Sequence, residues 1–177
     1  MFHQESRCNM VHIYCGNGKG KTTAGFGLLL RQLGYGNPVG IVQFLKDGNS
    51  GEMQALKGCA KVWQKACVMP QTFYFQMKEE EQAALKQQMQ SLFEEACRHL
   101  DTCSCMLWDE IIDAQNLGLL TVEQIITAIQ NHPNTEIILT GRNPHPRLID
   151  IADYYTAFQE VKHPFQKGIP ARKGIEY

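Results

Sequence analysis

Short apolar runs along this chain alternate with longer segments in which apolar residues recur every three or four positions. The alternation predicts strands and helices in turn, and with them an α/β fold built on a mostly parallel sheet. The strand candidates are residues 11–14, 39–44, a stretch near Val62-Trp63 and 67–69, then 103–108, 136–139 and 154–158. Helical periodicity covers about 22–33, 78–100, 120–130 and 146–152. Thr121 suits a helix cap, and Asn131-His132-Pro133 suits the stop of the same helix. There is no repeat, no low-complexity tract and no linker, so 1–177 reads as a single domain.

Composition narrows the class. Net charge is −1 and the basic residues are scattered, which leaves no electrostatic footprint for nucleic acid. No stretch approaches the roughly 20 apolar residues of a membrane helix, and the polar start lacks a signal-peptide run. These features predict a cytoplasmic protein with neither nucleic acid nor membrane as partner. The seven cysteines, at 8, 15, 59, 67, 97, 103 and 105, include no C-x-x-C pair. They read as small buried groups in a reducing compartment.

The chemistry begins where the first strand ends. Cys15-Gly16-Asn17-Gly18-Lys19-Gly20-Lys21-Thr22-Thr23 follows it directly and runs into a helix. Glycines let backbone N–H groups approach phosphate closely, and the helix start adds partial positive charge. Lys21 can meet the bridging phosphates and the Thr22 hydroxyl can hold magnesium. Gly16 through Thr23 are thus candidate nucleotide ligands. In the pattern G-x-x-x-x-G-K-[ST] the first glycine falls on Cys15, so the first turn of the loop is not the usual one. The plainer alternative is a glycine-rich turn joining a strand to a helix.

Two further strands end in candidate chemistry. Residues 105–108 lead to Asp109-Glu110, two hard oxygen ligands suited to magnesium beside a triphosphate, or else a capping pair for the next helix. In phosphate-loop proteins such a strand lies beside the first. Leu139-Thr140-Gly141 leaves Arg142 at the carboxyl edge of the sheet, where ligands bind in open α/β folds. Arg142, and Arg31 nine residues beyond Thr22, can clamp phosphate or simply face solvent. His163 can touch a ligand or serve structure. The tail of about 161–177 is broken by Pro and Gly and is not helical. Its Phe165, Ile169, Ile175 and Tyr177 predict packing, near the active site.

Taken together, Gly16 to Thr23, Val42-Gln43-Phe44-Leu45-Lys46, Gly51-Glu52, Leu107-Trp108-Asp109-Glu110, Leu139-Thr140-Gly141-Arg142, Val161-Lys162-His163-Pro164-Phe165 and Lys173-Gly174-Ile175-Glu176-Tyr177 resemble the phosphate-loop ATP:corrinoid adenosyltransferases of cobalamin biosynthesis and salvage. The blocks stand in the family's order and span nearly the whole chain. The resemblance implies a RecA-like phosphate-loop fold in three layers and a homodimer. It implies transfer of the 5′-deoxyadenosyl group of ATP to a Co(I) corrinoid, with triphosphate leaving and ATP lying reversed in the loop. It also implies Mg²⁺, and a flavodoxin-like or flavin reductant that converts Co(II) to Co(I). Lys21, Arg31 and Glu110 would serve the transfer, with Thr22, Asp109 and Glu110 at the metal. Phe73, Phe75, His163 and Phe165 would meet the corrinoid. Phe73 and Phe75 would exclude its lower axial ligand, and share one face if the segment is extended.

This sequence departs from the family's pattern in three places. About ten residues precede the first strand, where several relatives carry a helical lid. The second corrinoid aromatic is Phe75 and not tryptophan, and Arg172 replaces a frequent glutamine. The competing readings are an ordinary phosphate-loop ATPase, a nucleoside kinase, or a nucleotide-switched corrinoid carrier.

Overall fold

A computed structural model describes residues 9–68 and 74–176. In chain order the elements are β1 (Val11–Cys15), α1 (Lys21–Gly34), β2 (Val39–Gln43), α2 (Gly51–Ala55), β3 (Val62–Ala66), α3 (Glu79–His99), β4 (Cys105–Asp109), α4 (Ile111–Asn116), α5 (Val122–Asn131), β5 (Glu136–Gly141), α6 (Pro146–Asp150) and β6 (Tyr154–Ala157). The strands form one sheet in the order β3-β2-β4-β5-β1-β6. Every described pairing is parallel, so the sheet is more uniform than the expected mostly parallel one.

Local chemistry explains the helix starts. Gly20, at φ 109°, turns the chain into α1 without a side-chain cap. Thr121 caps α5 with a reciprocal pair: its hydroxyl accepts from Gln124 N–H at 3.1 Å, and Gln124 accepts from Thr121 N–H at 2.8 Å. The Glu81 carboxylate accepts the Lys78 N–H at 2.8 Å and closes the start of α3.

Helices cover both faces, making the three layers. Phe26 and Leu29 of α1 pack with Ile41, Leu107 and Ile138 of the sheet. On the opposite face Met89 and Phe93 of α3, Ile112 of α4 and Ile125 and Ile129 of α5 enclose Trp108, Met106 and Leu139. Strands this deeply covered read as continuous apolar runs, which is why they stand out in the sequence. No helix among the described residues is long and apolar enough to cross a membrane.

Three expectations change. The strand carrying the paired acids does not lie beside β1, because β5 sits between β1 and β4. The third strand ends at Ala66, short of Cys67. Asp109 ends β4 and Glu110 leads into a short helix, α4, while α2 follows β2; both helices are too short to show periodicity.

Candidate active site

The parallel register brings several strand ends to one edge. Cys15 aligns with Gly141 and with Ala157, and Gln43 aligns with Asp109. The loops after β1, β2, β4 and β5 therefore converge, as ligand sites do in open α/β sheets.

The glycine loop is held from below by the exit of β6. Gly18 N–H donates to Phe158 O at 2.8 Å, and Phe158 N–H donates to Cys15 O at 2.7 Å. This backing accounts for the departure at the head of the loop. Cys15 ends β1 as a buried strand residue, and the turn falls to Gly16 at φ 110°. A Cβ there would lie 2.4 Å from the Phe158 carbonyl oxygen. Gly16→Ala is therefore expected to lose about 2 kcal/mol or more, lowering Tm by roughly 4–8 °C in a calorimetric scan. An unchanged Tm would mean that the loop is not seated on the β6 exit.

Lys21 opens α1. Its ammonium donates to Gly18 O at 3.0 Å and has no carboxylate partner among the described residues. Burial, with the Arg142 guanidinium, pulls its pKa below the usual lysine value. The charge is thus held against a cost, facing a cleft that could supply a compensating anion.

Behind it lies a buried polar cluster. Asp109 is fully buried and accepts four hydrogen bonds. Oδ1 accepts from Thr22 Oγ1 at 2.9 Å and Thr140 Oγ1 at 2.7 Å. Oδ2 accepts from Gln43 Nε2 at 3.0 Å and Lys46 Nζ at 2.8 Å. Lys46 Nζ also donates to Thr22 Oγ1 at 2.8 Å and lies 3.3 Å from Glu110 Oε1. Burial alone would lower the Lys46 pKa; Asp109 and Glu110 outweigh it, and the net shift is upward.

Glu110 adopts φ 61°, an uncommon conformation for a non-glycine residue, with its N–H donating to Thr140 Oγ1 at 2.9 Å. Its side chain does not cap α4, so the capping alternative fails. Burial raises its pKa, opposed by Lys46. Gln43 Oε1 is buried without a hydrogen-bond partner.

The cluster forms one wall of a cleft of about 950 Å³, lined also by Lys19 to Thr23, Glu52 and Glu176. A neighbouring cleft of about 380 Å³ lies between the loop, Arg142, His163 and Phe165. Asn17 faces this second cleft and accepts from Glu160 N–H at 3.2 Å. The tail thus returns to the loop. Lys19 Nζ lies 3.3 Å from Glu176 Oε1, and Arg172 grips the same carboxylate at 3.0 Å. Arg172 lowers the Glu176 pKa to about 2. Phe165, Ile169 and Ile175 stay exposed despite the expected packing, and Pro164–Lys167 forms a 3-10 turn within the tail. His163 caps that turn, accepting from Phe165 N–H at 3.2 Å.

Two sequence candidates fall elsewhere. Arg31 sits in the last turn of α1, exposed and roughly 15 Å along the helix from Lys21, beyond the reach of its side chain to the loop. Phe75 lies in a 3-10 turn, Tyr74–Gln76, and is 85% exposed. Strand alternation therefore does not set its direction, and it is not a core aromatic. Phe73 lies outside the described residues.

Sequence reasoning gave no role to Lys46, Gln43 or Thr140. Their signal was position: each lies at or just past the carboxyl end of an apolar strand. The histidine–carboxylate pair His12–Glu136 stands near the amino ends of β1 and β5, at the opposite edge. The other described pair, His132–Asp101, lies in the turns that lead into β5 and β4.

Comparison with known proteins bears on this arrangement. A family profile described as ATP:corrinoid adenosyltransferase BtuR/CobO/CobP matches residues 7–177. The chain is 33% identical over 174 residues to the corrinoid adenosyltransferase of Escherichia coli K12, covering 95% of this chain and 85% of that one. It is 33% identical over 194 residues to corrinoid adenosyltransferase CobA of Salmonella typhimurium, covering 98% and 88%. It is 31% identical over 168 residues to a corrinoid adenosyltransferase of Pseudomonas aeruginosa, covering 93% and 82%.

Proposed function

Because the chain belongs to the ATP:corrinoid adenosyltransferase family, we propose that its glycine loop and buried acid cluster hold the triphosphate of ATP as the leaving group of adenosyl transfer. The protein is a corrinoid adenosyltransferase, with ATP and a corrinoid as substrates. The observation that carries the site reading is the convergence on one cleft of a loop of backbone donors, a Lys21 with no carboxylate partner among the described residues, and the Thr22–Asp109–Glu110 cluster.

In the proposed reaction the Co(I) electron pair attacks C5′ of ATP. The cobalt–carbon bond forms, the C5′–O bond breaks, and its electron pair leaves with the triphosphate. No proton is removed, so no general base is needed, and neither histidine–carboxylate pair lies at this edge. The protein's task is to position the two substrates and to stabilise charge on the leaving group. Backbone N–H groups of Lys19 to Thr22 and the Lys21 ammonium would do so directly. Arg142, across the smaller cleft, adds a second positive charge.

Magnesium belongs to this reading. Thr22, Asp109 and Glu110 present hard oxygens to a single point already shaped for a cation, and Gln43, whose Oε1 has no hydrogen-bond partner among the described residues, lines the same cleft. A bound metal would neutralise charge on the triphosphate.

The corrinoid would meet Phe73, Phe75, His163 and Phe165. The exposure of Phe75 and Phe165 favours this over a packing role. A flavodoxin-like or flavin reductant would supply Co(I). A homodimer in the cytoplasm completes the reading, with the exposed Tyr154, Tyr155 and Ile175 as its surface support. Phe75→Ala is expected to leave Tm unchanged and largely spare transfer to chemically prepared Co(I). It should reduce transfer about tenfold, equivalent to ~1.4 kcal/mol, when a flavodoxin must reduce Co(II). Equal loss under both conditions would remove Phe75 from the corrinoid site.

The test of the function is product identification by ³¹P NMR in an anaerobic reaction with a reduced corrinoid. Inorganic tripolyphosphate should form in step with a light-sensitive cobalt–carbon bond. ADP with free phosphate would contradict the proposal.

A further inference from the structure

The position best suited to a metal in the acid cluster is filled by a side chain of the protein. Lys46 Nζ stands 2.8 Å from Thr22 Oγ1, 2.8 Å from Asp109 Oδ2 and 3.3 Å from Glu110 Oε1. An ammonium has three donors, and these are three acceptors. Asp109 is saturated as well, since Thr22, Thr140, Gln43 and Lys46 occupy both of its oxygens. All three oxygen-bearing residues proposed for magnesium are thus bound to one internal cation. The Lys46 side chain remains 31% exposed and lines the larger cleft, so it has room to leave.

We propose that Lys46 is the resident cation of the empty acid site, yielding its place only to a metal that arrives with a triphosphate. This rests on the nucleotide site proposed above. A free divalent ion would have to shed water, which magnesium does reluctantly, and displace a tethered ammonium from all three of its oxygen partners. A metal–triphosphate complex removes the second obstacle, because its phosphate oxygens give the ammonium a new partner. Lys46 is then a positioning residue with two states. It keeps the buried Asp109 carboxylate compensated before the substrate binds, and adds positive charge beside the triphosphate afterwards.

The test is Mn²⁺ binding followed by electron paramagnetic resonance, with and without ATP, in the unaltered protein, Lys46→Met and Lys46→Ala. Without nucleotide the unaltered protein should bind Mn²⁺ weakly, and both variants ~10-fold or more tightly. With ATP the unaltered protein should take up Mn²⁺ readily. Equal Mn²⁺ affinity without ATP in the unaltered protein and the variants would overturn the proposal. If the variants do not fold, the unaltered protein decides by ¹⁵N NMR of the Lys46 ammonium. Its signal should survive Mn²⁺ alone and broaden when ATP is added; broadening by Mn²⁺ alone overturns the proposal. Failure of the unaltered protein to bind Mn²⁺ even with ATP would refute the nucleotide site itself, and this proposal with it.

Discussion

Lys21→Ala is expected to lower kcat/KM for adenosyl transfer by ~10²–10³-fold, the scale on which a leaving-group donor contributes, while leaving Tm unchanged. The reason lies in what Lys21 does in the folded chain. Its ammonium has one backbone acceptor and no carboxylate partner among the described residues, and burial with Arg142 lowers its pKa. A lysine whose pKa falls on folding has its charged form disfavoured by the fold. Removing it relieves a cost, so the loss should appear in activity alone. Steady-state rates with chemically reduced corrinoid, beside a calorimetric scan, decide the matter. Near-normal rates would remove Lys21 from the site; loss of the fold would make it structural.

Glu110→Ala should act from the other side of the cleft, with a similar ~10²–10³-fold fall in transfer. Burial raises the Glu110 pKa, so the fold disfavours this charged form too. The sign is clear: an acid with a raised folded-state pKa is a stability cost above that pKa, not a gain. The 2.8 Å contact of Lys46 with Asp109 does not involve Glu110, so the cluster is expected to retain its cation when Glu110 is truncated. The distinguishing readout is the magnesium dependence of the rate. The variant should need a much higher magnesium concentration for half its maximal rate, and Glu110→Gln should share the defect. A variant with normal transfer and unchanged magnesium dependence would show that Glu110 only begins α4.

The contrast between Lys21 and Lys46 shows what a sequence can reveal about such a site. Lys21 sits in a loop whose spacing announces phosphate chemistry, and Asp109-Glu110 end an apolar strand where the period breaks. Those signals are local. Lys46 is three residues past β2, and only the register of β2 against β4 brings it to Asp109. The insertion of β5 between β1 and β4 was equally invisible, since strand order is a long-range property. Arg31 failed for the opposite reason. Its charge suggested phosphate, but the rise of α1 carries it away from the loop. Phe75 was read by strand alternation in a segment that turns as a 3-10 helix, so alternation does not give its direction. The apolar runs themselves needed no such correction. β1, β2, β4 and β5 are covered on both faces, and burial on that scale marks the sequence plainly.

The central claim is that the loop beginning at Gly16 and the cluster around Asp109 grasp ATP by its triphosphate. A crystal structure of the protein grown with magnesium and ATP measures this directly. The account predicts phosphate oxygens within hydrogen-bond distance of Lys21 Nζ and the N–H groups of Lys19 to Thr22, with Lys46 moved away from Asp109. A triphosphate bound elsewhere, with Lys46 still seated between Thr22, Asp109 and Glu110, would contradict it.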